Sequence, residues 1–94
     1  MSRRIEFNDL NLKVDNDERV LFANFESSSI SCIAYNMEDQ SMYVVFTNSI
    51  EKRYVYINVP AKAFLALVAE PSVGAAFTKF RKAGYEYFDE PNKF

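Results

Sequence analysis

The segment Lys52–Val59 (KRYVYINV), ending against Pro60, decides the fold. It is dense in β-branched and aromatic residues and reads as a strand. Alternation sends Val55, Ile57 and Val59 to one face and Tyr54, Tyr56 and Asn58 to the other. Pro60 then sits where the first turn of a helix tolerates proline. Phe64, Leu65 and Val68 recur at helical spacing, which predicts a helix over Pro60–Ala69.

Working backwards, Asn48–Glu51 is a turn, Ser41–Thr47 a strand, Asn36–Gln40 a turn and Ile30–Tyr35 a strand. Short turns between successive strands imply an antiparallel meander. Ser27-Ser28-Ser29 marks a break before it. Residues 3–25 read as a hairpin: Ile5 and Phe7 alternate, then Leu10, Leu12 and Val14 after a one-residue slip. Asp15-Asn16-Asp17 supplies its turn and Glu18–Phe25 returns.

Working forwards, Glu70-Pro71-Ser72 interrupts the first helix, and Pro71 can begin another. Val73, Ala76, Phe77 and Phe80 fall on one side of that second helix, Lys79 and Lys82 on the other. Gly84 is a natural stop. Tyr85–Phe88 adds a short strand or lies across the core, and Asp89–Phe94 reads as a tail.

The expected fold is therefore α+β: a three-stranded antiparallel meander with an N-terminal hairpin, followed by two short helices. Residues 1–26 form a hairpin or arm, 27–88 the domain and 89–94 the tail. Strand 41–47 is apolar on both faces, with Met42, Val44 and Phe46 on one and Tyr43 and Val45 on the other. Two short helices cover only one face, so the other needs the hairpin, a second subunit or a ligand. Self-association is expected to supply part of that cover.

Composition narrows the chemistry. The chain has 94 residues, 49% of them hydrophobic and 16% aromatic, which suits one folded domain rather than disorder. It holds no His, no Trp and one Cys. A histidine-based triad, an imidazole base and a His/Cys zinc cluster are thereby excluded, which weighs against an enzyme; neither metal nor cofactor is expected. Cys32 reads as a small buried hydrophobe, since no His is present to activate it. Asp15–Glu18 lacks the calcium-loop pattern and reads as a turn. No stretch approaches a membrane span and no signal-like apolar run follows Met1, so a cytoplasmic protein, in a bacterial or virus-infected cell, is expected.

Net charge is −2, but its distribution is uneven. Residues 1–49 carry four basic groups against eight acids, net −4, whereas 52–82 carry six against Glu70 alone, net +5. The pattern suits an anionic ligand on the second half, head-to-tail association, or simply solvated faces.

Two constellations are candidate sites. Tyr54 and Tyr56 share a strand face beside Lys52 and Arg53, which suits base stacking with phosphate contact; otherwise the rings pack under the helices. Ser72 and Gly74 open the second helix, whose free N–H groups suit a phosphate, with Lys79, Arg81 and Lys82 further along it. The alternative is an ordinary Ser cap, with Gly74 permitting a close helix–helix contact.

Ser27-Ser28, Ile33-Ala34-Tyr35, Met42-x-Val44-x-Phe46, Tyr54-Val55-Tyr56, Val59-Pro60, Ser72-Val73-Gly74 with Phe77-Thr78, and Tyr85-Glu86-Tyr87 occur in that order. Together they make Ser27–Phe88 resemble the KTSC domain, a family found at the C-terminus of some lysyl-tRNA synthetases and as a stand-alone small protein. The family's glycine before the tyrosine pair is replaced here by Asn48-Ser49-Ile50-Glu51. RNA binding is the role the resemblance implies, without an established activity.

The expected function is thus a small non-enzymatic module, homo-oligomeric, binding RNA or a phosphate-bearing nucleotide. Arg53, Tyr54, Tyr56, Ser72, Gly74, Lys79, Arg81 and Lys82 are its contact residues. Sequestration of a nucleotide signal, as by some phage counter-defence proteins, is one form of that reading. The competing expectation is a protein-interaction or assembly module acting through an open sheet face, with no nucleotide and no membrane partner.

Overall fold

A computed structural model describes residues 6–10 (backbone only), 20–25 and 27–92. Six antiparallel strands lie in chain order: β1 (Glu6–Leu10), β2 (Val20–Asn24), β3 (Ile30–Asn36), β4 (Ser41–Phe46), β5 (Lys52–Tyr56) and β6 (Tyr87–Pro91). Two helices, α1 (Ala61–Ala69) and α2 (Val73–Arg81), are inserted between β5 and β6. The class is the α+β one expected, with a longer sheet. Among the described residues no helix is long and apolar enough to cross a membrane.

The hairpin at the start is present as β1 paired with β2, Phe7 opposite Ala23. Its predicted turn at Asp15–Asp17, with Leu12 and Val14, lies outside the described residues. The loop before β4 closes tightly. Asn36 Oδ1 accepts from Glu38 N–H, Asp39 Oδ1 from Ser41 N–H, and Gln40 takes the left-handed conformation that reverses the chain.

Both helices end for local reasons. Glu70 is extended (ψ 144°) because the residue before a proline is pushed out of the helical region, and Pro71 follows it. Ser72 caps α2 by accepting a hydrogen bond from Ala75 N–H, and Gly84 leaves it with φ +82°. Val73, Ala76, Phe77 and Phe80 of α2, with Phe64, Leu67 and Val68 of α1, pack on Ile33, Tyr35, Met42, Val44 and Tyr56. Tyr35 stacks on Phe64 at 4.9 Å and donates its hydroxyl proton to the Val59 carbonyl.

Three features depart from plain strand alternation and from the expected tail. A bulge at Ser31 shifts the β3–β4 register between Ile30 and Cys32, so Ile30 joins the helix-covered core while Cys32 and Ala34 face the other way. Strand β5 stops at Tyr56 because Asn58 adopts φ +58°, which turns Val59 into the helix-covered core, away from Val55 and Ile57. The predicted tail is strand through Pro91: Asp89 lies opposite Tyr54 and Glu90 opposite Arg53.

The second sheet face carries Val20, Phe22, Cys32, Ala34, Tyr43, Val45 and Val55, with Ile57 at its margin. These seven are 8% exposed or less in a single chain. The open face that called for a second subunit or ligand is therefore closed within one copy.

Candidate nucleic-acid interface

Strand β5 sets the geometry, since alternate side chains leave on opposite faces. Tyr54 and Tyr56 point to the helix side, where Tyr56 is buried and Tyr54 partly so. Tyr56 meets Phe77 and Phe80 edge-on at 5.9 and 5.3 Å, and Tyr54 meets Phe46 edge-on at 5.2 Å. The packing alternative for this pair thus describes most of their surface.

Their outer edge differs. Tyr87 of β6 lies opposite Tyr56, stacks on it at 5.0 Å, and leaves 58% of itself exposed. The same ring is 6.2 Å from Tyr54, and Lys52 Nζ stands 6.0 Å over the Tyr54 ring. Burial pushes the Tyr56 phenol above its ordinary value; the Arg81 guanidinium opposes the rise, and the phenols of Tyr87 and Tyr54 add to it. Arg81 thus acts on the Tyr56 phenol. Thr78, Arg81 and Lys82 line a depression of about 320 Å³ at the C-terminal end of α2.

The remaining predicted contact residues do not converge there. Arg53 points to the opposite sheet face and is 2% exposed. Its Nε donates to Glu90 Oε2 at 2.6 Å, and its guanidinium covers the Tyr43 ring at 4.5 Å. Arg53 is therefore a fold-stabilising cation and not a ligand contact, because strand alternation places it opposite Tyr54. Lys79 lines a separate, mainly apolar groove of about 260 Å³ between α1 and α2, with Ala63, Leu67, Ala76 and Phe80.

Ser72 and Gly74 stand at the far end of α2, roughly 13 and 10 Å along the axis from Arg81 at about 1.5 Å per residue. The Ser72 hydroxyl oxygen is used by Ala75 N–H at 3.3 Å. A Cβ on Gly74 would meet Ser29 Oγ at 3.2 Å, so the glycine admits the serine turn preceding β3 and not a second helix. Ser27 Oγ in turn accepts from Ser29 N–H and Ile30 N–H, and Thr47 Oγ1 donates to the Ser27 carbonyl. The Ser-rich break and the Ser-x-Gly motif are thus two halves of one packing contact.

Cys32 is buried, and burial pushes its thiol up to about 11, which leaves it protonated and inert at neutral pH. Tyr87 and Thr78 were outside the predicted site. The Tyr85–Tyr87 alternation was the available signal for Tyr87, but only pairing with β5 reveals which face its ring takes.

The KTSC domain model matches residues 26–85. No curated protein matches the chain, and no solved structure does. The matched span holds β3, β4, β5, both helices and the contact of Ser29 with Gly74. With that whole framework inside the match, the chain belongs to the KTSC domain family.

Proposed function

We propose that this domain is a non-catalytic binding module that takes RNA, or another phosphate-bearing nucleotide ligand, at the β5–β6 edge of its helix-covered face. The observation that carries the reading is the exposed Tyr87 ring, stacked on Tyr56, whose phenol also feels the Arg81 charge. An exposed ring held by a ring behind it offers a base a rigid platform. Stacking of this kind is worth about 1–3 kcal/mol per base. Arg81 and Lys82 meet no acid within ion-pair distance among the described residues, so their charge is available to phosphate. Lys52 is instead neutralised by Asp89 at 3.4 Å.

The test is fluorescence anisotropy with a labelled short oligouridylate, measured over a series of salt concentrations. Arg81→Ala combined with Lys82→Ala should weaken binding about tenfold and flatten the salt slope by roughly 1.4, at about 0.7 per phosphate contact on a single strand. Tyr87→Ala should weaken binding at every salt concentration without changing that slope. Unchanged affinity in both variants would remove the basis of the proposal.

A further inference from the structure

The groove between α1 and α2 lies apart from the proposed ligand site. It runs along both helices, because each lines it at every third or fourth position: Ala63, Leu67 and Glu70 on one side, Ala76, Lys79 and Ala83 on the other. Arg81 follows Ala76 by five residues and precedes Ala83 by two, which puts it on the far side of α2 from the groove. Leu67, Ala76 and Phe80 are buried and form the floor, whereas Ala66 and Ala83 on the walls are exposed and small. The walls are too short to fill the trough, which keeps about 260 Å³ open. From Ala63 to Glu70 it is roughly 10 Å long, two turns of a helix.

Its charges are ordered along that length. Glu70 stands at the end of α1, where the helices join. Lys79 stands midway along the α2 wall, and Lys62 at the start of α1, four residues before Ala66 and on the same side. Among the described residues none of these three charges has an ion-pair partner.

We propose that this groove receives an acidic amphipathic helix of a partner protein. Apolar side chains at positions i, i+3 or i+4, and i+7 of that helix enter the trough over Leu67 and Phe80. Charge complementarity sets the rest of its composition: carboxylates beside the stripe meet Lys62 and Lys79, and a cation at one end meets Glu70. The alanine walls let its backbone come close, as a third helix laid along a packed pair must. Nucleic acid is a poorer match, because an apolar trough with an acid at one end gives a phosphate backbone no continuous line of cations.

The test is fluorescence anisotropy with a labelled synthetic peptide of about 16 residues. It carries leucine at helical spacing, glutamates beside the leucines and one lysine at its end. The full chain should bind it about tenfold more tightly than a peptide with lysine in place of each glutamate. The whole chain has net charge −2, so general attraction favours the basic peptide and the opposite preference reads the groove. Lys62→Glu combined with Lys79→Glu should invert the preference with unchanged far-ultraviolet circular dichroism, both positions being exposed. Ala66→Trp, which fills the trough from an exposed position, should abolish binding of either peptide. No binding by the wild type up to about 1 mM, no preference for the acidic peptide, a preference that survives the double exchange, or undiminished binding by Ala66→Trp would overturn the proposal. Displacement of the peptide by oligouridylate would place nucleic acid in the groove and overturn it as well. No variant alters Arg81, Lys82 or Tyr87, so the result stands apart from the ligand reading.

Discussion

Asn58 shows how one residue redirects a strand. Its neighbours alternate as though β5 ran to Val59, and the sequence pattern carries no sign of a break except an asparagine in a β-rich run. The structure gives Asn58 φ +58°, a conformation that asparagine and glycine accept more readily than other residues. That turn moves Val59 into the helix-covered core, where its carbonyl accepts the Tyr35 hydroxyl. Asn58→Val should therefore cost about 1–2 kcal/mol in urea unfolding, whereas Asn58→Gly should change stability by less than about 1 kcal/mol. Arg53 teaches the complementary lesson. Its position beside Tyr54 looked like a ligand contact, yet strand alternation alone assigned it to the opposite face. What the sequence could not show was Glu90 waiting there, thirty-seven residues later.

At the scale of elements, the helices were the most legible part. The buried residues of α2 are the four that helical spacing selects, and Ser72, Pro71 and Gly84 bound it through their own backbone preferences. Strand β6 was least legible, because Tyr87–Pro91 holds acids and a proline and alternates weakly. Its place depends on β5, which supplies a cation for each of its acids. The two ion pairs differ sharply in worth. Lys52 and Asp89 are 41% and 53% exposed, so Asp89→Ala should cost under about 0.5 kcal/mol. Glu90→Ala leaves a buried guanidinium without its carboxylate and should cost roughly 2 kcal/mol, below the range for fully buried pairs because Glu90 remains 28% exposed. Chemical denaturation of the two variants side by side measures the difference. Equal costs would show that burial of Arg53 does not govern the attachment of β6.

Over the whole molecule, the family match spans 26–85, while β1, β2 and β6 lie outside it. These additions complete both sides of the sheet, and β6 brings Tyr87 to the tyrosine pair inside the match. The basic second half of the chain separates accordingly: Lys52 and Arg53 pair with acids of β6, Lys79 faces the inter-helix groove, and Arg81 and Lys82 line the depression at the end of α2. Net charge by segment could identify the basic half but not this division, which depends on strand face and helix end. The central claim is that ligand binds at that edge and not at the Ser72–Gly74 helix start. Titration of isotope-labelled protein with a short oligouridylate, followed by amide and aromatic chemical shifts, tests it most directly. The account predicts that the largest changes fall on Tyr54, Tyr56, Thr78, Arg81, Lys82 and Tyr87; changes centred on Ser27–Ile30 and Ser72–Ala75, or none at all, would contradict it.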